Sequence, residues 1–272
     1  MFDPENYQLK EIEELEYSYL KKYWYFLKFA EDDILRGFRT KDDIINDWRG
    51  LYGSEEGGTS DFAVGSERII YALLNGKIAG QPNSNPVSSD LFFEVEDAFI
   101  HIDLKSVSTT DGGDWTDPVT NKLYHENIGD YATDIFVGNN QNSYNGIISL
   151  KKSNELRGYK PNLPCYYTKE NGIKKICLTY FITILSNRTT FDTELINILC
   201  MPNGLLEPHY SDRPLKAGKN PGKIRFNFKE ASRFELLDDQ PARGRIIYQN
   251  PDMSDYLKNK LQFQLANFTV GD

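Results

Sequence analysis

The chain has 272 residues, of which 39% are hydrophobic, 13% aromatic and 26% charged. It can bury a sizeable core, which excludes wholesale disorder. The net charge of −9 argues against a nucleic-acid partner only until its distribution is read.

Residues 1–67 carry 16 Asp/Glu against 8 Lys/Arg. Residues 213–229 carry Arg213, Lys216, Lys219, Lys223, Arg225 and Lys229 with no acid. A second basic stretch, 151–175, holds seven Lys/Arg against Glu155 and Glu170. Each basic run alone is equally consistent with a solvated face. No apolar stretch is long enough to span a membrane, and the opening MFDPENYQ is not a secretory pattern. Cys165, Cys177 and Cys200 form neither a disulfide framework nor a zinc cluster, so a reducing cytoplasm is expected.

In chain order, 5–29 reads as a helix with apolar residues at mixed three and four spacing. A second helix is predicted over 41–50, with Thr40 as N-cap and Asp42 and Asp43 in its first turn. These two helices are expected to form outer scaffold or part of a dimer contact. A third helix is predicted over 61–75, capped by Ser60 and stopped near Gly76. Residues 80–89 read as a polar loop. Asp90 to Ser106 reads as two strands with a tight turn near Glu96–Ala98. Phe99, His101, Asp103 and Lys105 then share one face of the second strand, and Ile100, Ile102 and Leu104 the other. Further strands are expected near 132–137, 144–151, 176–187, 194–200 and 222–228, and a last helix over 252–264. With no repeat or linker, the simplest architecture is a single α/β domain over 1–272, a mixed β-sheet flanked by helices.

Asp103-Leu104-Lys105 is the one instance of Asp or Glu, any residue, then Lys in the chain. Strand alternation sets that carboxylate and ammonium on one face. A turn centred on Asp97 places Leu91 opposite Asp103, with Asp90 one step away. Two acids and a lysine then converge, as metal-assisted phosphodiester hydrolysis requires. Asp90, Asp103 and the Leu104 carbonyl are the candidate oxygen ligands of Mg²⁺, and Lys105 the group that orients the attacking water. Asp61 or Glu67, on the third helix, is the candidate further acid. The tripeptide alone is weak evidence, since a surface salt bridge has the same pattern. His101 reads more simply as a strand-surface histidine than as a phosphate or water contact.

These residues resemble the PD-(D/E)xK nucleases and, within them, the BglI-like type II restriction endonucleases. The resemblance covers roughly residues 60–115 and a few later patches. It is carried by AVGSE at 63–67, by Asp90 (preceded by Ser89 where the family has Pro), and most closely by IDLKSV at 102–107. MPNGL at 201–205 and the basic segment from Arg213 are weaker echoes. The resemblance implies a restriction-endonuclease-like core over about 60–151 and DNA-recognition segments over about 108–146 and 201–245. It makes Asp90, Asp103 and Lys105 catalytic and favours Asp61 over Glu67 as the helical acid. Asp111 would accept a hydrogen bond from a cytosine amino group. Arg213, Lys216, Lys219, Lys223 and Arg225 would lie in the other base-reading region, donating to guanine. The family's acid inside that segment is missing here.

The implied activity is Mg²⁺-dependent double-strand cleavage of a specific DNA sequence by a homodimer in a bacterial cytoplasm. Two alternatives stay open: a repair or recombination nuclease of the same fold, and a non-catalytic DNA-binding protein.

Overall fold

The computed structural model describes residues 3, 6–52, 59–74, 81–82, 91–108, 146–149, 156–159, 165–169, 171–187, 192–210, 215–217, 224–226 and 242–268. The helices are α1 (Leu9–Phe29), α2 (Glu31–Tyr52), α3 (Thr59–Leu74), α4 (Glu207–Tyr210), α5 (Asp255–Lys260) and α6 (Gln262–Asn267). The strands are β1 (Gln81–Pro82), β2 (Leu91–Glu94), β3 (Ala98–Ser108), β4 (Gly146–Ser149), β5 (Leu156–Tyr159), β6 (Tyr166–Thr168), β7 (Lys174–Ser186), β8 (Thr193–Met201), β9 (Leu215–Ala217), β10 (Ile224–Phe226) and β11 (Gly244–Gln249).

The main sheet has the order β1-β2-β3-β7-β8-β11, with β6 paired to the start of β7. β3 and β7 run parallel from Ala98↔Ile176 to Ser108↔Ser186, and the other pairs are antiparallel, so the sheet is mixed as expected. β8 is buried throughout and β7 from Ile176 onward. Such strands read as continuous apolar runs because both faces are covered.

α1 buries Ile12, Tyr19, Leu20, Tyr23, Trp24 and Leu27, a stripe at three and four spacing. It lies against the sheet: Tyr180 Oη donates to the Glu16 carbonyl at 2.8 Å and Trp24 Nε1 to the Ile246 carbonyl at 2.8 Å. The helix expected as outer scaffold is therefore an inner one. Its stripe also contains Glu13 and Glu16, both fully buried.

The second helix is longer than expected. α2 begins at Glu31, with Glu31, Asp32 and Asp33 as its acidic first turn. Thr40 caps nothing; its hydroxyl donates back to the Arg36 carbonyl at 3.0 Å from within the helix. α3 begins at Thr59, so Ser60 also lies inside the helix. The expected strands at 144–151, 176–187, 194–200 and 222–228 correspond to β4, β7, β8 and β10. The one at 132–137 lies outside the described residues. β1, β5, β6, β9 and β11 were not expected. The predicted C-terminal helix divides into α5 and α6 at Leu261.

Gly244, at the start of β11, is required by packing. A Cβ there would run into the Phe268 ring, which is 3% exposed. Gly244→Ala is expected to cost about 1–3 kcal/mol through overpacking. A thermal melt reads the loss, and an unchanged Tm would mean that the ring swings aside freely.

Candidate active site

β2 and β3 form the expected hairpin, with Leu91↔Ile102, Phe92↔His101, Phe93↔Ile100 and Glu94↔Phe99 as partners. Leu91 thus faces Ile102 and not Asp103, one residue from the expected register. The turn closes with Val95 N–H donating to the Ala98 carbonyl. Tyr19 Oη of α1 donates to the Asp97 carboxylate, which ties the hairpin tip to the core helix.

Beyond Ile102, β3 continues along β7 to Ser108. Ile100, Ile102 and Leu104 pack into the main core. The opposite face carries His101, 0% exposed, and Asp103, 3% exposed. Backbone alternation puts position 105 on that face too. The side chain of Lys105 lies outside the described set, as do those of Asp61 and Glu67 on α3. Between those two acids, Ser66 is buried. Asp90, Asp111, Arg213, Lys219 and Lys223 lie outside the described residues.

A carboxylate at 3% exposure costs free energy unless positive charge or donors compensate it. Asp103 therefore fits a hard cation, which prefers oxygen ligands. Leu104, the other expected ligand, has its side chain in the core, so only its backbone oxygen could serve. Among the described residues no three His, Cys, Asp or Glu side chains converge; Asp90 is not among them.

His101 sits in an aromatic group, 5.0 Å from the Phe92 ring and 6.0 Å from Tyr167, with Nδ1 3.4 Å from Thr179 Oγ1. It is an interior residue, not the strand-surface histidine expected from the sequence and not a surface phosphate contact. Burial pushes its imidazole down to about 3. The unfolded chain protonates this side chain near 6.5 while the folded chain refuses the proton until about 3. Stability contributed here is therefore complete above the upper value and is lost as pH falls through that window. His101→Gln is expected to flatten this acid limb in urea unfolding measured across pH. An unchanged limb would assign the acid sensitivity elsewhere.

The two basic stretches differ. In 151–175, Lys169 and Lys175 both reach Glu94 Oε1, at 2.5 and 2.8 Å. Hydrogen bonds from Lys169 and Lys175 hold the Glu94 carboxyl below its ordinary range. That part of the stretch is spent on tying β6 and β7 to the hairpin. In 213–229, β9 and β10 pair antiparallel with Arg225 directly opposite Lys216.

Residues the motif reading missed lie on the strands beside β3. Thr183 of β7 and Asn197 of β8, each 1% exposed, continue the Asp103 face. No spacing rule singles them out, because they join the motif only through sheet order.

Comparison with solved structures defines the fold. The chain is similar to the crystal structure of the restriction endonuclease BglI bound to its DNA recognition sequence, with TM-score 0.52 and 13% identity over 87% of this chain and 94% of that one. It is also similar to the tetrameric restriction endonuclease SfiI bound to cognate DNA, with TM-score 0.59 and 13% identity over 93% of this chain and 90% of that one. The architecture is thus that of a restriction endonuclease.

Two family descriptions then match the sequence: Type II restriction enzyme MwoI, N-terminal domain, over residues 8–190, and the central domain of the same enzyme over 194–249. The chain belongs to this MwoI family of type II restriction enzymes and is a sequence-specific DNA endonuclease. No curated protein matches it. Enzymes of this class generally use a divalent metal. No described helix is long and apolar enough to cross a membrane.

Proposed function

We propose that Asp90, Asp103 and Lys105 carry the cleavage, with Mg²⁺ as the metal. The observation behind this reading is the position of Asp103, a buried carboxylate just past the last described β2–β3 pair, Leu91↔Ile102. Asp90 directly precedes Leu91 in the chain as Asp103 follows its partner Ile102, which supports assigning both acids to one site. Asp90, Asp103 and the Leu104 carbonyl are the ligands in this reading, with Asp61 or Glu67 from α3 as a further acid. Bound Mg²⁺ acidifies water and offsets charge on the phosphoryl group. Lys105 orients the attacking water and draws off its proton. Water oxygen bonds to phosphorus as the bond to the 3′ oxygen breaks; the departing oxygen takes up a proton from solvent, leaving 5′-phosphate and 3′-hydroxyl ends.

In the same reading the catalytic core spans about 60–151, within a single domain. The recognition segments are 108–146, with Asp111, and 201–245, with Arg213, Lys216, Lys219, Lys223 and Arg225. The Lys216–Arg225 pair on the β9–β10 ribbon favours this assignment. A homodimer, working in the bacterial cytoplasm, best matches a twofold-symmetric DNA site.

The test is digestion of plasmid DNA with Mg²⁺ and with EDTA, alongside the oligomer mass from light scattering. Discrete bands with Mg²⁺ alone, from a dimer, are the expected result. Equal cutting in EDTA would overturn the metal assignment, and a monomer on cognate DNA would overturn the symmetry argument.

A further inference from the structure

The face of α1 that turns away from the sheet has a pattern of its own. Glu11, Glu14, Lys22, Tyr25 and Phe29 are exposed, and Ser18 is half-buried between them. These positions advance by three or four residues and fall within an arc of about 80°, opposite the stripe that packs on the core. Phe29 is 90% exposed, the highest value for a large apolar side chain among the described residues, and Tyr25, one turn before it, is 48% exposed. The Lys22 ammonium lies 4.3 Å from the Tyr19 ring centroid at the flank of this face. Tyr7, half-buried, sits just before the helix and donates through its hydroxyl to the Leu205 carbonyl at 3.0 Å.

The stripe is acidic at its start, small in the middle, then basic, then aromatic. Reversing it about Ser18 exchanges Glu14 with Lys22, Glu11 with Tyr25 and Tyr7 with Phe29. Each exchange matches groups that attract: carboxylate with ammonium, carboxylate with phenol hydroxyl, ring with ring. A surface complementary to its own reverse is what a twofold contact between identical chains requires. Parallel pairing would instead oppose acid to acid and lysine to lysine.

We propose that the outer face of α1 is an interface between two copies of this chain, packed antiparallel about a twofold axis at Ser18. Glu14 of each copy meets the partner's Lys22. Glu11 accepts a hydrogen bond from the partner's Tyr25, and Phe29 lies against the partner's Tyr7. Ser18 is small enough to let the two backbones approach at the crossing. Glu11 and Glu14 make the same face a poor fit for DNA phosphates. The inference rests on the homodimer reading given above and adds the surface that forms it.

Charge reversal in the full-length protein tests it, by sedimentation velocity over a concentration series without DNA. The parent is expected to be a dimer. Lys22→Glu and Glu14→Lys each set like charges together at two places across the axis, and each raises the dimer dissociation constant at least about tenfold. The two reversals combined in one chain recreate the pairs with their signs exchanged and return the constant to within about threefold of the parent. Phe29→Ser also weakens the dimer, through lost apolar burial. Each variant keeps the circular dichroism of the parent, because the substituted side chains face solvent in the single chain. Ser18→Cys treated with oxidised glutathione forms a covalent dimer, since the axis brings the two new thiols together while Cys165, Cys177 and Cys200 are buried.

A parent that stays monomeric without DNA up to about 100 µM overturns the inference. If it is monomeric on cognate DNA as well, the homodimer reading fails with it. A dimeric parent whose two single reversals dimerise with unchanged affinity overturns this inference alone. Weakening that the combined reversal does not rescue overturns it too, as does a Ser18→Cys chain that forms no crosslink.

Discussion

Asp103→Asn is expected to remove metal-dependent cleavage while leaving the fold and DNA binding intact. The amide is isosteric, so the β3–β7 ladder around it is undisturbed. It lacks the negative charge that would hold a divalent cation against the scissile phosphate. A loss of about 10³-fold or more is expected, or roughly 4 kcal/mol at about 1.36 kcal/mol per tenfold. Lys105→Ala forms the second arm, with cleavage lost and binding retained. Rates are read in single turnover and binding by mobility shift in Ca²⁺. Normal cutting by the Asp103→Asn enzyme would remove the carboxylate from the mechanism.

Arg243→Met is expected to have the largest effect on stability. Arg243 is fully buried and donates from Nη1 to Glu16 Oε2 and from Nη2 to Glu13 Oε1, both at 2.8 Å. Tyr210 Oη donates to Glu13 Oε1 at 2.6 Å, and the Asn203 N–H donates to Glu16. This cluster joins α1 to α4 and to the entrance of β11. Removing the guanidinium leaves two buried carboxylates without their cation, which costs about 3–5 kcal/mol.

Burial pushes the Glu16 carboxyl up to about 7, against the opposing pull of Arg243 and the Asn203 N–H. The folded chain therefore holds a proton that the unfolded chain releases near 4.5, and this group's contribution declines as pH rises from about 4.5 to about 7. Loss of Arg243 strengthens that trend, so the variant's deficit should shrink on acidification. Urea unfolding at two pH values checks both points. Replacing all three charged residues by apolar ones should recover much of the loss, because the intact cluster itself bears a desolvation cost. An Arg243→Met chain within about 1 kcal/mol of the parent at pH 7 would show that the carboxylates find other donors.

The motif hairpin was legible because its information is local. Alternation along Phe99, His101, Asp103 and Lys105 assigns a face to each residue, and the sheet built β3 with the buried Asp103 where that pattern required. The register was missed by one residue, since it depends on turn geometry as well as alternation. Thr40 misled as an N-cap because the same hydroxyl can bond forward at a helix start or backward inside one. β11 escaped notice because GRIIYQ begins with a glycine and an arginine, marks of an exposed turn, whereas Arg245 is fully buried with its Nη1 donating to the Ala242 carbonyl. Glu13 and Glu16 counted toward an acidic first quarter, yet they face the core.

Strand periodicity and a unique Asp-x-Lys spacing singled out Asp103 and Lys105, and the resemblance carried by IDLKSV supplied the chemical class and the other proposed residues. Periodicity and spacing are relations between neighbours in the chain, which backbone geometry converts directly into a face. The alignment of Lys105, Thr183 and Asn197, the union of Arg243 with α1, and the internal use of Lys169 and Lys175 arise only once distant segments pack. Partners brought together by sheet order and burial have no fixed separation in the chain, so only the folded molecule can select them.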